Sequence, residues 1–420
     1  MIKTKTYDCG VRLVVEQTKN KECTLGIGVD CGSKSEKPEE FGLAHFLEHL
    51  FFKSTKTRTT KQLANELEGL GTSINACTNH DNTYYHFKSL NENLEKSFSI
   101  YCDMFFNGIF NKDEVDKERK VVLEEIKVYE DDSCSKLEDS CSKFIFNKTP
   151  YEHNILGDPK VIENIPIAKI KAFKNRYYKP ENVIITVAGG VKFKTIDKMV
   201  KKYFCSNFKT KGTPKLADTK TLNITYTKKY FSIQKEDKQV NLMIFFKGEN
   251  STSELKYIRA YYQIIMGVGL SSRMFLHLRE QQGLCYTTRI YVNTMDKTGN
   301  TIFYIGSAPE KLEACVKGIK FLIKEAAENG FTKEEFNKAK NRLKAGTIFS
   351  AGTGPKASAN FKNLLNLGKP KTQEEIIKCY ESVTLDQVND YAKKIANEKN
   401  FLVAAIGNKI DMKTLKLFEK

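Results

Sequence analysis

The feature that most constrains the fold of this chain is that its second half repeats its first. The segment ENVIITVAGG aligns with KNFLVAAIGN near the end of the chain, placing Gly189 over Gly407. At the same offset, YYHFKSLNENLEKSFSI from Tyr84 aligns with IFYIGSAPEKLEACVKGI from Ile302, and FNKDEVDKERK then aligns with FTKEEFNKAKN after a three-residue shift. Matches in the same order along both halves indicate that one folding unit has been duplicated.

Each repeat combines alternating, β-branched strands with amphipathic helices. This pattern predicts an α+β fold of two homologous domains, each a mainly antiparallel β-sheet flanked by helices. We expect the first domain at residues 1–208 and the second at residues 224–420. The polar stretch at residues 209–223, rich in Gly, Pro, Thr and Lys, is interpreted as the linker between them.

Composition and charge narrow the class of protein. The chain has no run of about 18 apolar residues, and its N-terminus, MIKTKTYDCG, lacks the apolar stretch of a secretory signal. We therefore expect a cytoplasmic protein with no membrane partner. The 11 cysteines form no C-x-x-C pair, which argues against a disulfide framework. A formal charge of +17 would suit nucleic acid, but the lysines are interspersed with acids and no binding motif accompanies them, so we expect no nucleic-acid partner.

A histidine motif in the first half has no counterpart in the second. The segment FGLAHFLEHLFF at residues 41–52 follows Pro38 and two glutamates, which favours a helix. On a helix, His45 and His49 project from one face one turn apart and can reach a single tetrahedral ion, with Glu48 beside them. The order H-x-x-E-H is the inverzincin signature. The alternative is an amphipathic helix whose histidines only make hydrogen bonds in the core.

A catalytic zinc ion normally takes three protein ligands, so the third must come from elsewhere in the chain. The segment KDEVDKERKVVLEEIKVYEDD predicts a helix on which Glu118 and Glu125 lie two turns apart on one face. The second repeat has Ala339 and Gly346 at these positions, so the glutamates are candidates for chemistry rather than folding. By itself, the segment is also typical of a solvated charged helix face.

HFLEH followed about 70 residues later by ERKVVLEEI resembles the pitrilysin and insulinase family of zinc peptidases. The resemblance covers essentially the whole chain and implies one Zn²⁺ per chain. The family's pattern of apolar, apolar, any residue, Glu, apolar places the third ligand on Glu125, beside His45 and His49, with Glu124 as the adjacent alternative. Other divalent ions such as cobalt or manganese remain open, because two imidazoles and one carboxylate do not strongly exclude them.

The resemblance also implies roles for two further glutamates and for one strand. Glu48 would be the general base, and Glu118 would support the metal site. In GTSINACTNHDNTYYHF, the residues Asn75, Ala76 and Thr78 match the family's edge strand, which pairs with an extended substrate. An ordinary core strand would show the same alternation, so that alternative stays open.

In the second half, SSRMFLHLREQQGLCYTTRIYV resembles the family segment that supplies an arginine and a tyrosine to the substrate. The matching positions are Arg279 and Tyr286. A guanidinium and a phenol could hold the peptide carbonyl and assist the oxyanion. A surface helix charge is the alternative for Arg279. Arg273 in the same segment is expected to be structural.

Taken together, the resemblance implies a zinc-dependent endopeptidase that hydrolyses short or unfolded peptides. Because the metal motif lies in one half and the arginine and tyrosine in the other, it further implies that the domains pair into a clam-shell chamber. A homodimer is expected to complete that chamber, and a heterodimer with a relative stays open. The alternative function is a catalytically silent or assembly subunit that binds peptides with a partner peptidase, although such subunits typically lose the motif.

Overall fold

The computed structural model describes residues 1–208, 211–218 and 220–419. Their strands form one sheet of six strands and one of five. The first sheet contains β1 (Ile2–Thr6), β2 (Arg12–Gln17), β3 (Glu22–Val29), β4 (Ser73–Thr78), β5 (Thr83–Leu90) and β6 (Val183–Gly189). The second sheet contains β7 (Tyr230–Gln234), β8 (Val240–Gly248), β9 (Cys285–Thr294), β10 (Gly299–Ser307) and β11 (Phe401–Gly407).

Helices follow or separate these strands. In the first half they are α1 (Leu43–Phe51), α2 (Thr60–Gly69), α3 (Leu94–Asn107), α4 (Lys112–Asp131), α5 (Ser133–Ile145), α6 (Pro159–Asn164), α7 (Ile167–Tyr177) and α8 (Phe193–Tyr203). In the second half they are α9 (Leu255–Gly267), α10 (Leu312–Asn329), α11 (Lys333–Phe349), α12 (Thr353–Leu367), α13 (Gln373–Glu381), α14 (Leu385–Ala396) and α15 (Met412–Lys416). Short 3-10 helices lie at Ser33–Ser35, Pro38–Glu40, Pro180–Asn182, Cys205–Asn207 and Pro309–Lys311, and a π-helix at Phe275–Gln281.

The two sheets share one topology. The strand orders are β1-β2-β6-β3-β5-β4 and β7-β11-β8-β10-β9, so that, apart from β1, each strand has a counterpart in the other sheet. In each sheet one pair is parallel, β2 with β6 and β7 with β11, and the other pairs are antiparallel. The structure therefore confirms the predicted α+β fold of two homologous, mainly antiparallel halves.

The chain divides into two compact units, and each contains one sheet. The first unit comprises Met1–Lys127, His153–Ala217 and Ser350–Thr372, and the second comprises Val128–Glu152, Asp218–Phe349 and Gln373–Lys420. This division differs from the predicted boundaries, because residues 128–152 group with the second unit and residues 350–372 with the first. Part of the predicted linker, residues 209, 210 and 219, lies outside the described residues, and the rest divides after Ala217.

Helix α5 shows why residues 128–152 belong to the second unit. Leu137, Cys141 and Ile145 recur along one face of α5 and are almost fully buried in a cluster that includes Met243 and Phe245 of β8. Helices α9, α10 and α14 contribute to a separate apolar cluster in the same unit. Helical periodicity reveals that α5 has an apolar face, but it carries no information about which sheet that face will cover.

Helix α12 comes from the second half of the sequence but belongs to the first unit. The Phe361 ring stacks on Tyr84 of β5, with ring centroids 5.2 Å apart. A Cβ atom on Gly28 of β3 would lie 2.1 Å from the same ring, so the glycine makes room for it. Lys356 donates a hydrogen bond of 2.6 Å to Glu16 of β2. The helix is therefore joined to the sheet by close packing and by polar contacts.

Replacing Phe361 with alanine tests this packing. Because Phe361 is 1% exposed and fills the space beside Gly28, we expect Phe361→Ala to lower the free energy of unfolding by about 3–5 kcal/mol. Lys362→Ala changes the next, exposed residue on α12 and should stay within about 0.5 kcal/mol of the unchanged chain. Urea unfolding followed by circular dichroism measures both. Equal midpoints for the two variants would contradict the packing of α12 on the first sheet.

Two further expectations bear on the class of protein. All 11 cysteines are free thiols and most are buried. Among residues 1–208, 211–218 and 220–419, no helix combines the length and the apolar character needed to cross a bilayer.

Candidate metal centre

The histidine motif lies on α1, which begins at Leu43 rather than at residue 41 as predicted. Gly42 precedes the helix with a φ of 96°, a conformation that favours glycine. A Cβ atom at this position would also lie 2.6 Å from the Leu156 carbonyl oxygen. From this start, His45 and His49 project on the same side of α1, with ring centroids 4.6 Å apart.

Helix α4 brings Glu125 to both histidines. Its Oε2 atom lies 3.8 Å from His45 Nε2 and 3.3 Å from His49 Nε2. Metal–ligand bonds of about 2.1 Å in a tetrahedral site place ligand atoms about 3.4 Å apart, so these separations are close to those of a metal site. Glu124 is instead 69% exposed, and its carboxylate pairs with Lys127 at 2.7 Å. The structure thus brings Glu125, and not Glu124, to the histidines, and their role as ligands stays a prediction.

Glu118 holds the other side of the His49 ring. Its Oε1 atom lies 3.0 Å from His49 Nδ1, and its second oxygen pairs with Lys53. Burial alone would lower the pKa of His49, but the hydrogen bond with Glu118 and the charge of Glu125 raise it overall. Burial likewise opposes ionisation of Glu118, but His49 and Lys53 outweigh it and lower the pKa of Glu118. An acceptor on Nδ1 orients the ring so that Nε2 faces the candidate metal position.

Lys53 was missed by the sequence reasoning. It follows the end of α1 and lies four residues after His49, so that spacing is the only signal that could have pointed to it. Its ammonium group neutralises Glu118 on the side away from the histidine, which keeps that carboxylate ionised as a hydrogen-bond acceptor.

His45 is held differently from His49. It is 8% exposed, and its Nδ1 atom is buried with no hydrogen-bond partner among the residues that the structure describes. Burial, together with the charge of His49, lowers the pKa of His45 to about 4. The ring is therefore neutral at physiological pH, as a metal-binding imidazole must be.

Glu48 connects α1 to strand β4. The Thr78 hydroxyl donates a hydrogen bond to Glu48 Oε2. Burial raises the pKa of Glu48, and the hydrogen bond from Thr78 offsets part of that rise. A carboxylate with a raised pKa is suited to exchanging protons near neutral pH.

Strand β4 lies at the edge of the first sheet, where β5 is its neighbour among the described strands. Asn75 is exposed, and its side-chain oxygen accepts a hydrogen bond of 2.8 Å from the Ala76 amide. Thr78 ends the strand beside Glu48. The structure therefore places Asn75, Ala76 and Thr78 on an edge strand next to the candidate site, while substrate pairing stays a prediction.

Arg279 and Tyr286 lie in the second unit. Arg279 is on the π-helix and its guanidinium lies 4.8 Å from the centre of the Phe275 ring. Tyr286 is the second residue of β9 and is 63% exposed. Arg273 differs from both, since it binds Glu335 at 2.7 and 2.9 Å and also pairs with Glu325. These contacts agree with a structural role for Arg273, and the substrate roles of Arg279 and Tyr286 stay predictions.

Comparison with known proteins identifies the family. Residues 12–159 match the model described as Insulinase (Peptidase family M16), and residues 164–343 match that of the Peptidase M16 inactive domain. The "Uncharacterized zinc protease YmxG" of Bacillus subtilis is 32% identical over 400 residues, which cover 95% of this chain and 96% of that protein. The chain belongs to the M16 peptidase family. The HFLEH motif of this M16 chain falls in the first match, and the second match covers sequence that lacks it.

Other M16 relatives bear similar names. An "Uncharacterized zinc protease" of Rickettsia bellii is 31% identical, with 87% of each chain covered. Among solved structures, a protease from Helicobacter pylori superposes with a TM-score of 0.87 at 22% identity, covering 97% of this chain and 99% of that one. A peptidase M16 inactive domain from Pseudomonas fluorescens gives 0.88 at 20% identity, covering 98% and 99%. The two solved structures show the shared fold.

The residues of this M16 chain fit a zinc ion. Two imidazole nitrogens and one carboxylate oxygen lie within 4.8 Å of one another, and this is the type and number of donors that a catalytic zinc takes from a protein while keeping one position for water. The neutral ring of His45 and the carboxylate support of His49 suit the same role.

Proposed function

We propose that this M16 chain is a zinc-dependent endopeptidase that hydrolyses short or unfolded peptides. The observation that carries the proposal is the convergence of His45, His49 and Glu125 beside Glu48, which lies in the same turn of α1 as His49. Names of relatives support a zinc protease, and the donor set supports one Zn²⁺ per chain.

A bound zinc ion would polarise the scissile carbonyl and lower the pKa of a water molecule to about 7. Glu48 would accept the proton from the attacking water and return it to the leaving amine. Thr78 holds one oxygen of Glu48 through its hydroxyl hydrogen bond, which limits the rotamers of the carboxylate. Glu118 and Lys53 keep the His49 ring oriented throughout.

The substrate would bind as an extra strand along the edge of β4 that no described strand covers. Main-chain hydrogen bonds to an edge strand depend little on side chains, so we expect broad sequence selectivity and a requirement for extended peptides. Thr78 at the end of β4 would bring the peptide next to Glu48. Arg279 and Tyr286 of the second unit would hold the peptide carbonyl and assist the oxyanion.

We further propose that the active form is a homodimer that encloses a clam-shell chamber, with a heterodimer containing a relative as the alternative. The proposed compartment is the cytoplasm. Sedimentation of the purified chain tests the assembly, since a single species of twice the 48.0 kDa chain mass supports a homodimer.

Removal and return of the metal tests the activity. The purified chain, loaded with zinc, should cleave quenched-fluorescence peptides of unstructured sequence, and a folded protein of similar composition should resist. Chelator treatment should abolish cleavage, and added zinc should restore it, because zinc held by His45, His49 and Glu125 would activate the attacking water and polarise the scissile carbonyl. A zinc-loaded chain that cuts no peptide would overturn the proposed function.

A further inference from the structure

The start of α1 is anchored by a carboxylate that lies outside the helix. Glu36 Oε2 accepts a hydrogen bond of 2.8 Å from the Gly42 amide, and its Oε1 accepts one of 2.6 Å from the Ala44 amide. The first amides of a helix have no partner within the helix, and a negative charge next to them is favoured by the helix dipole. The Glu36 side chain has 0% exposure, so this cap is fully enclosed.

His153 completes the anchor. Its Nε2 atom lies 3.1 Å from Glu36 Oε2. When Glu36 is ionised its oxygen can only accept, and this nitrogen then donates. The imidazole ring also stacks on Phe41, with ring centroids 3.9 Å apart and planes inclined by 13°. His153 thus contacts both Glu36 and Phe41, the residue before Gly42.

The segment that carries His153 also packs against the backbone of the helix start. A Cβ atom on Gly157 would lie 2.2 Å from the Gly42 Cα atom, so the two glycines are in direct contact. The Asp158 amide donates a hydrogen bond of 3.3 Å to the Phe41 carbonyl oxygen. The position of the first turn of α1 is consequently determined by contacts with residues more than 100 positions later in the chain.

This anchor matters for one of the two histidines in particular. His49 is oriented through its own ring, by Glu118. His45 Nδ1 has no hydrogen-bond partner among the described residues, so the ring is placed by packing and by the backbone that carries it. That backbone follows directly after Ala44, whose amide is bound by Glu36.

We propose that Glu36 and His153 are positioning residues of the metal centre, which hold His45 at ligand distance by anchoring the first turn of α1. The inference rests on the proposed function only in taking His45, His49 and Glu125 as metal ligands. Glu36 and His153 contact no reacting group, and they act through the backbone of α1.

The test compares matched variants of the full chain by their affinity for zinc, measured without a peptide. Glu36→Gln keeps the shape but replaces one acceptor oxygen with a donor, and should weaken zinc binding roughly 10- to 100-fold, the effect typical of groups that support metal ligands. His153→Leu should weaken it in the same direction. His153→Gln should restore most of the affinity, because the glutamine amide can donate to Glu36 from about the place of Nε2.

A control separates positioning from stability. Thr59 is exposed and caps helix α2 by accepting a hydrogen bond from the Gln62 amide. Thr59→Ala should lower the unfolding temperature while zinc affinity stays unchanged. All affinities are measured by competition with a chromophoric chelator at a temperature where circular dichroism shows each variant folded. The visible spectrum of the cobalt-loaded chain, which reports ligand geometry, should change in Glu36→Gln and not in Thr59→Ala.

Zinc affinity and a cobalt spectrum in Glu36→Gln equal to those of the unchanged chain would overturn the inference and leave the peptidase proposal intact. If Glu36→Gln does not fold, the two His153 variants test the inference instead. Equal zinc affinity in His153→Leu and His153→Gln would then overturn the inference. An unchanged chain that binds zinc but cleaves no peptide would overturn the proposed function alone. An unchanged chain that binds no zinc would overturn both.

Discussion

Glu48→Gln is expected to lower kcat for peptide hydrolysis by roughly 10²- to 10⁴-fold, with zinc binding unchanged. Glutamine has nearly the same shape and can still accept the Thr78 hydrogen bond, but it cannot take a proton from the attacking water. Glu48 is not one of the three residues whose donor atoms converge, so the metal should remain bound. The measurement is kcat and KM on a quenched peptide, together with the zinc content of each preparation.

Glu39→Gln serves as the matched control for Glu48→Gln. Glu39 is exposed on the 3-10 helix Pro38–Glu40 that precedes α1, so the same chemical change there should leave kcat as it is. Comparable activity in the two variants would mean that another group takes the proton, and the role of Glu48 would have to be abandoned. A loss of zinc in Glu48→Gln would instead show that Glu48 helps to hold the metal.

Glu125→Gln should weaken zinc binding more than roughly 100-fold, beyond the loss expected for a group that only supports a ligand. The oxygen that lies 3.3 Å from His49 Nε2 would become half of a neutral amide, a poorer ligand for a divalent cation. At a zinc concentration about 100 times its Kd, the unchanged chain should gain about 2.7 kcal/mol of stability. Glu125→Gln should gain almost none at the same concentration, as measured by urea unfolding with and without zinc.

Glu124→Gln is the control for this prediction, because it makes the same change one residue earlier on α4. Glu124 pairs with Lys127 on the exposed side of the helix, so removing the charge of Glu124 should leave zinc binding intact. The opposite pattern, with zinc lost in Glu124→Gln and kept in Glu125→Gln, would assign the ligand to Glu124. Equal retention of zinc in both variants would remove α4 from the metal site.

Several elements follow from local sequence alone. His45, Glu48 and His49 share one helix turn because their spacing matches the helical period, and this geometry needs no tertiary contact. The two α+β halves follow from repeated strand and helix patterns, and the sheets agree in strand order and in their single parallel pair. The edge position of β4 was indicated only through the family resemblance, because alternation alone does not distinguish an edge strand from a central one.

Other features depend on contacts between residues far apart in the chain. The choice of Glu125 over Glu124 depends on which face of α4 meets α1, and the pattern VLEEI had placed it only through the family resemblance. The support of Glu118 by Lys53, and of the α1 start by Glu36 and His153, likewise joins separate segments. No local period predicts such pairs.

What the sequence by itself determined is therefore the placement of His45, Glu48 and His49 on one helix and the duplicated architecture, because the first depends on short-range spacing and the second on the alignment of the two halves. Only the tertiary structure decided that residues 128–152 and 350–372 each cross to the other unit. The sequence patterns of α5 and α12 predict that each helix has an apolar face that must be buried, but many surfaces can bury an apolar face. The choice among them depends on the side chains that meet there, such as Phe361 beside Gly28, and is made only when the chain folds.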